Sequence, residues 1–186
     1  MVFRVEHTLK IVKTKLKDCL VLQPKVFSDN RGFFVELFQD QKYSQFLNSD
    51  LNFVQDNYSH SIKGVLRGLH FQVTKPQGKL IQVIQGEVYD VAIDIRANSP
   101  TFGQWHAEIL SEENKKQFWV PPGFAHGFMT LSDTADFIYK CTDYYDSSDE
   151  GCLAWDDPAL SIPWPIVEPI VSSKDQLGLL LKDLCL

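Results

Sequence analysis

At 186 residues, 44% hydrophobic and 12% aromatic, the chain carries enough apolar material for one domain with a full core, and its composition excludes a disordered chain. A net charge of −6, with the acidic residues dispersed, argues against a nucleic-acid partner but leaves room for a small anion held by a few arginines. The four cysteines form no Cys-x-x-Cys pair, residues 1–18 are charged throughout, and no apolar run approaches the ~18 residues of a membrane span, so the expectation is a cytoplasmic protein with reduced thiols and no membrane partner.

In chain order, residues 1–17 are basic and loosely alternating, compatible with an edge strand or a flexible arm. Residues 19–24 predict a strand ended by Pro24. Ser28-Asp29-Asn30-Arg31-Gly32 is a turn, and 32–38 a strand of aromatic and β-branched residues. Tyr43, Phe46 and Leu47 are spaced for a short helix over 41–47. Strands follow over 53–59, 65–72 and 79–84, and Gln85-Gly86 turns into a strongly alternating strand over 87–95.

Further strands are predicted over 104–110, 117–120, 124–131 and 136–142, the third of these entered through Pro121-Pro122-Gly123. Residues 144–155 are polar and irregular. Residues 158–169 hold four prolines and predict a wrapping loop, pinned to the body by Trp164 and Ile166. Ser172 with Asp175 three residues on has the form of a capping box, and Leu177, Leu180, Leu181 and Leu184 form a stripe, so a C-terminal helix is expected over 172–184. Roughly ten short strands spaced about eight to twelve residues apart predict an all-β sandwich or barrel.

Polar residues interrupt several of these strands. Alternation puts His70 on one face with Leu66, Gly68 and Gln72, Lys79 with Ile81 and Val83, His126 with Phe124 and Phe128, and Tyr139 with Phe137 and Cys141. Polar groups among apolar neighbours need a reason to be there. Arg67 has the opposite parity to His70, so both reach one pocket only if Gly68 permits a bulge. Taken singly, each residue also has a structural reading: His126 as a hydrogen-bonded core residue, Tyr139 as a packed aromatic, Lys79 as a solvated cation, and Asp175 as a helix-start carboxylate.

Gly64 followed by His70, then Pro121-x-Gly123-x-x-His126, resembles the two halves of the cupin pattern. A metal-binding cupin needs a second His two residues after the first and a carboxylate beyond it. Here those places hold Gln72 and Gln77, a poor donor set for Zn²⁺ or Fe²⁺. The expectation is a cupin-like barrel without a metal.

RGLHFQ (67–72), QGKL (77–80), GEVYDVAIDIR (86–96), SPTFGQW (99–105), PPGFAHGF (121–128) and SSKD (172–175), together with KVFSDNRGFF (25–34) and FVQDNYS (53–59), resemble the dTDP-4-dehydrorhamnose 3,5-epimerase family. The similarity runs in register over residues 12–182. It implies one cupin-type jelly-roll domain, 1–186, with residues 1–11 as an N-terminal extension. It also implies a cofactor-free homodimer that inverts C3 and C5 of a dTDP-4-keto sugar.

By the same resemblance His70 is the base, Asp175 its carboxylate partner, Tyr139 the acid on the opposite face and Lys79 the cation near the enolate. Arg31, Glu36, Gln55, Asn57, Arg67, His126, Glu150 and Lys174 match nucleotide-sugar contacts, and Tyr145 matches the aromatic that stacks on the base. Arg31 and Glu36 are expected to reach the partner's site. Tyr58 departs from the family pattern, which has a His or a smaller residue there. A single-centre 3- or 5-epimerase, a 3,4-ketoisomerase on a related sugar, and a non-catalytic cupin that binds a sugar nucleotide are the competing readings.

Overall fold

The structure, a computed structural model, describes residues 9–47 and 52–184. The chain opens with strands β1 (Leu9–Lys13) and β2 (Leu20–Pro24), then a hairpin of β3 (Val26–Asp29) and β4 (Gly32–Val35). One helical turn, α1 (Asp40–Tyr43), precedes β5 (Gln55–Ile62), β6 (Val65–Gln72), β7 (Lys79–Gln85) and β8 (Glu87–Asp94). Next come β9 (Trp105–Ser111), β10 (Gln117–Val120), β11 (Phe124–Thr130) and β12 (Thr134–Cys141), followed by the short β13 (Glu150–Cys152) and β14 (Ile170–Val171). Of residues 1–11, assigned to an N-terminal extension, 1–8 lie outside the described residues and the rest belong to β1, which takes the sheet edge.

Two sheets result. One has the order β1-β2-β10-β7-β12-β5; the other runs β13-β6-β11-β8-β9, with β14 pairing the same β6. Between them the inward residues of alternating strands form one core, including Val21, Ile81, Val83, Ala92, Phe118, Phe128 and Phe137. This is the all-β, two-sheet architecture that strand spacing predicts. The opposite parity supplies the outer faces. Leu22, Leu80 and Trp119 pack under Tyr43 of α1, while Leu69, Phe71, Val91 and Ile93 are covered by the C-terminal segment. Within that cover Trp164 donates to the Trp155 carbonyl at 2.7 Å and meets Tyr89 edge-on; the apolar residue packed beside it is Ile162 rather than Ile166.

Gly86 makes the tight β7–β8 turn at φ +77°, and a Cβ there would stand 2.1 Å from the Thr134 carbonyl oxygen, so the turn needs glycine on both counts.

The expected helix over 172–184 is absent. In its place are two 3-10 turns, Asp175–Leu177 and Leu181–Asp183. Between them Leu179 forms a parallel bridge with Leu153, donating to the Cys152 carbonyl and accepting from the Ala154 amide, both at 2.8 Å. Pairing with the sheet supplies the hydrogen bonds a helix would have made, and the leucine periodicity loses to it; Leu177 is left 81% exposed. Half of the capping box survives, because the Asp175 amide donates to the Ser172 hydroxyl at 3.1 Å. The helix expected over 41–47 is shorter, with α1 ending at Tyr43 and turns carrying the chain to Leu47.

Candidate active site

β6 is the strand that the site is built on. Its alternation would point His70 inward and Arg67 outward, but one extra residue is inserted. His126 of β11 stands opposite His70, whereas Phe128, two residues on, stands opposite Arg67, three residues back. Gly68 sits in this bulge at φ +123°, and a Cβ on it would fall 2.6 Å from Gly127 Cα. The sequence required such a bulge for Arg67 and His70 to reach one pocket; the bulge is present, but Arg67 is not among the residues lining the cavity that holds His70. Arg67 is exposed and donates through Nε to the Ser61 hydroxyl at 3.0 Å.

The His70 ring donates through Nε2 to Asp175 Oδ1 at 2.7 Å. The Asp175 carboxylate also accepts from the Gly68 amide at 3.2 Å. Burial pushes Asp175 up, but the His70 bond and charge, the Gly68 amide and the Ser172 hydroxyl together outweigh it and hold the carboxyl below the usual range. It is therefore ionised at neutral pH and accepts a proton-bearing Nε2, which leaves Nδ1 with its lone pair.

Opposite, on the first sheet, stand Tyr139 of β12 and Lys79 at the start of β7. Burial pushes the Tyr139 hydroxyl up to about 12. Lys79 Nζ lies 5.9 Å from the Tyr139 ring centroid, and Cys141 is its cross-strand neighbour. Desolvation pulls the Lys79 ammonium below the ordinary lysine value, against the pull of Cys141, Glu150 and Asp90.

His70, Lys79 and Tyr139 line one cavity of about 260 Å³ together with Gln55, Asn57, Tyr145 and Glu150. The rim is a hydrogen-bonded chain of side chains. The Asn57 amide oxygen accepts from Gln55, whose own oxygen accepts from the Tyr145 amide at 2.9 Å. The Tyr145 hydroxyl donates to Glu150 at 2.9 Å, and Lys174 bonds the same carboxylate oxygen. Desolvation raises Glu150, but Lys174 and Tyr145 outweigh it and keep the carboxylate ionised.

The remaining sequence-derived residues lie elsewhere. Arg31 pairs with Asp29 at 2.6 Å on the exposed β3–β4 hairpin, and Glu36 bonds Lys42. Neither lines the cavity. Tyr58 has the opposite parity to Asn57, faces outward and donates to Asp136 at 3.0 Å. His126, the register partner of His70 on the neighbouring strand, is buried, does not line the cavity, and is bonded through Nε2 to Asp90 Oδ1 at 2.8 Å.

Asp90 is a residue that sequence reading passed over. The signal was available: it shares its face of β8 with Val88 and Ala92, so an acid there points into the core. Gln72 and Gln77, which also line the cavity, are committed elsewhere. The Gln72 amide donates to the Lys75 carbonyl at 2.8 Å and accepts from the Asp146 amide at 2.7 Å, and Gln77 donates to the Asp143 carbonyl at 2.8 Å. The two places where a metal-binding cupin carries ligands thus tie down loops, and these residues do not fit that metal.

A family profile described as dTDP-4-dehydrorhamnose 3,5-epimerase matches residues 13–183. The chain belongs to the dTDP-4-dehydrorhamnose 3,5-epimerase family. It is an epimerase by that membership, and among its relatives the dTDP-4-dehydrorhamnose 3,5-epimerase of Salmonella typhimurium is 53% identical over 173 residues, 92% of this chain and 94% of the relative. The dTDP-6-deoxy-D-glucose-3,5-epimerase of Legionella pneumophila, solved in complex with dTDP-4-keto-L-rhamnose, superposes with a TM-score of 0.92 at 51% identity and 95% coverage of both chains. A 3'-monoepimerase from Streptomyces bikiniensis, in complex with dTDP-quinovose, gives a TM-score of 0.86 at 30% identity, covering 91% of this chain and 86% of its own. The family's fold therefore hosts both single and double epimerisation.

Proposed function

We propose that the protein inverts C3 and C5 of dTDP-4-dehydro-6-deoxy-D-glucose, giving dTDP-4-dehydro-L-rhamnose. The observation that carries this reading is the placement of the His70–Asp175 pair and Tyr139 on opposite sheets across one cavity, with Lys79 beside Tyr139. A 4-keto group acidifies the C–H bonds on both sides of it. Inversion needs a base on one face of the sugar and a proton donor on the other.

His70 Nδ1 takes the proton, and Asp175 holds the ring and stabilises its cationic form. The electrons move into the carbonyl and form an enolate, whose oxygen is stabilised by the Lys79 ammonium in a poorly solvated cavity. Tyr139, held protonated by burial, delivers a proton to the opposite face of the enolate carbon. The C3 and C5 hydrogens of a D-gluco 4-keto sugar lie on the same face of the ring, so the same base and acid serve both centres.

The rim binds the rest of the substrate. Tyr145 offers its ring to the nucleotide base, and Lys174 and Arg67 supply positive charge for the pyrophosphate. Gln55, Asn57 and Glu150 orient the sugar, and His126 supports His70 from the neighbouring strand. We also assign a homodimer in which Arg31 and Glu36 reach the partner's site. The exposed Phe27, Phe33 and Phe34 of the β3–β4 hairpin support that arm as a contact surface. Among the described residues Cys19, Cys141 and Cys152 are free thiols, in keeping with a cytoplasmic setting.

The test is a proton NMR time course with dTDP-4-dehydro-6-deoxy-D-glucose in deuterated water. Label at C3 and C5 with accumulation of the L-rhamno product supports the reading; label at C3 alone would make the protein a monoepimerase. In the same assay Tyr139→Phe keeps exchange at C3 and loses inversion at C5. Normal L-rhamno product from that variant would remove Tyr139 as the acid.

A further inference from the structure

Among the described residues one group of three metal-ligating side chains converges: His70, Cys152 and Asp175, each offering a donor atom within 4.8 Å of the others. From it we infer that the site doubles as a trap for a thiophilic divalent cation such as Zn²⁺, which binds across these three side chains and switches the enzyme off. This set is distinct from the cupin ligand positions, where Gln72 and Gln77 stand.

The backbone fixes the cluster. Cys152 of β13 is the register partner of His70 on β6, so the two side chains emerge from adjacent strands on one face. Asp175 is held by the Gly68 amide and by His70 itself. Zinc bonds sulfur at about 2.3 Å and nitrogen or oxygen at about 2.0–2.2 Å, so three ligands of one tetrahedron stand roughly 3.3–3.6 Å apart. The His–Asp pair at 2.7 Å must open slightly and the thiol close in, movements within reach of side-chain rotation.

Imidazole, thiolate and carboxylate are all zinc donors, and three of them leave a fourth position for water. Cys152 has no part in proton transfer. Burial pushes its thiol up to about 12, so at neutral pH it stands as a neutral group that leaves the dyad undisturbed. On binding, the cation takes a lone pair from the His70 ring, one from the Asp175 carboxylate and one from the Cys152 sulfur. The thiol proton passes to solvent. The cation takes the place of the Nε2 proton that His70 shares with Asp175, and that proton moves to Nδ1, so the base loses both its lone pair and its orienting partner.

Inhibition rests on the reading of His70 as the base; binding does not, and the experiment separates the two. Purified, chelator-treated protein is titrated with Co²⁺ and with Zn²⁺. The expected result is one ion per chain, with a thiolate-to-cobalt charge-transfer band that vanishes in Cys152→Ser and Cys152→Ala. Both variants should turn over normally without metal, and Zn²⁺ should inhibit them at least about tenfold more weakly than the parent, the low end of what losing even an outer-shell partner costs in affinity. Absence of stoichiometric binding, or a cobalt spectrum unchanged in both variants, would overturn the site. Metal bound through Cys152 with full turnover would keep the site and remove His70 from the role of base.

Discussion

Two of the His–Asp pairs of this protein have their histidines on the adjacent strands β6 and β11, and they differ in access to water. His70 with Asp175 and His126 with Asp90 have bond lengths of 2.7 and 2.8 Å, and the two histidines are register partners on β6 and β11. In the first pair the His side chain is 29% exposed, at the cavity; in the second it is 7% exposed and its Asp fully buried. Burial pushes Asp90 up and His126 down, so both move toward their neutral forms despite facing each other. Asp175, with the Gly68 amide and the Ser172 hydroxyl as two further polar contacts, goes the other way and stays ionised. The same two residue types therefore make a pair with an ionised carboxylate and access to water at the cavity, and beside it a buried strut whose members are pushed toward their neutral forms.

The comparison is broken most severely at Asp175. Asp175→Asn removes the charge that favours imidazolium while keeping the shape of the side chain. Turnover should fall by about 10²–10⁴-fold, with little change in the unfolding midpoint. Steady-state kinetics beside thermal denaturation measure both; unchanged turnover would sink the dyad as catalytic machinery.

At the buried pair the cost should appear in stability. His126→Ala leaves the Asp90 carboxyl without its partner and opens space in the core, and Asp90 Oδ2 already has no partner among the described residues. A loss of about 1–3 kcal/mol is expected from the unsatisfied group alone, read from urea unfolding. A variant as stable as the parent would contradict the strut.

The smallest effect concerns pH. The folded value of His126 lies below its unfolded value near 6.5, so the unfolded chain binds the extra proton first. The stability from keeping this ring neutral is present above that value and is lost as pH falls through it toward the lowered folded value. Thermal midpoints of the parent should decline over this window more steeply than those of His126→Asn. Parallel pH profiles would mean that His126 titrates normally in the fold.

Legibility in the sequence followed locality. Parity alone put His70, Lys79, His126 and Tyr139 on inward faces, because alternation in a strand is a property of neighbouring residues. It even posed the condition at Gly68 that the β6 bulge meets. What parity cannot give is which inward faces confront each other. The meeting of His70 with Asp175, 105 residues apart, was supplied by family resemblance rather than by pattern. Asp90 was hidden in a strand whose alternation satisfied the eye, although an acid at an inward position was itself the signal. The C-terminal leucines misled for the opposite reason: their helical spacing is local, and the bridge from Leu179 to Leu153 that overrides it is not. Arg31 and Glu36 sit on a hairpin away from this chain's cavity, where their expected role depends on a second copy.

The difference between the two pairs is tested most directly by solvent exchange. His70→Asn and His126→Asn, each confirmed folded, are incubated with dTDP-4-dehydro-6-deoxy-D-glucose in deuterated water, and label at C3 and C5 is followed by NMR. The account predicts that exchange is lost at both carbons in the first variant and persists at both in the second. Exchange that survives in His70→Asn and disappears in His126→Asn would contradict it.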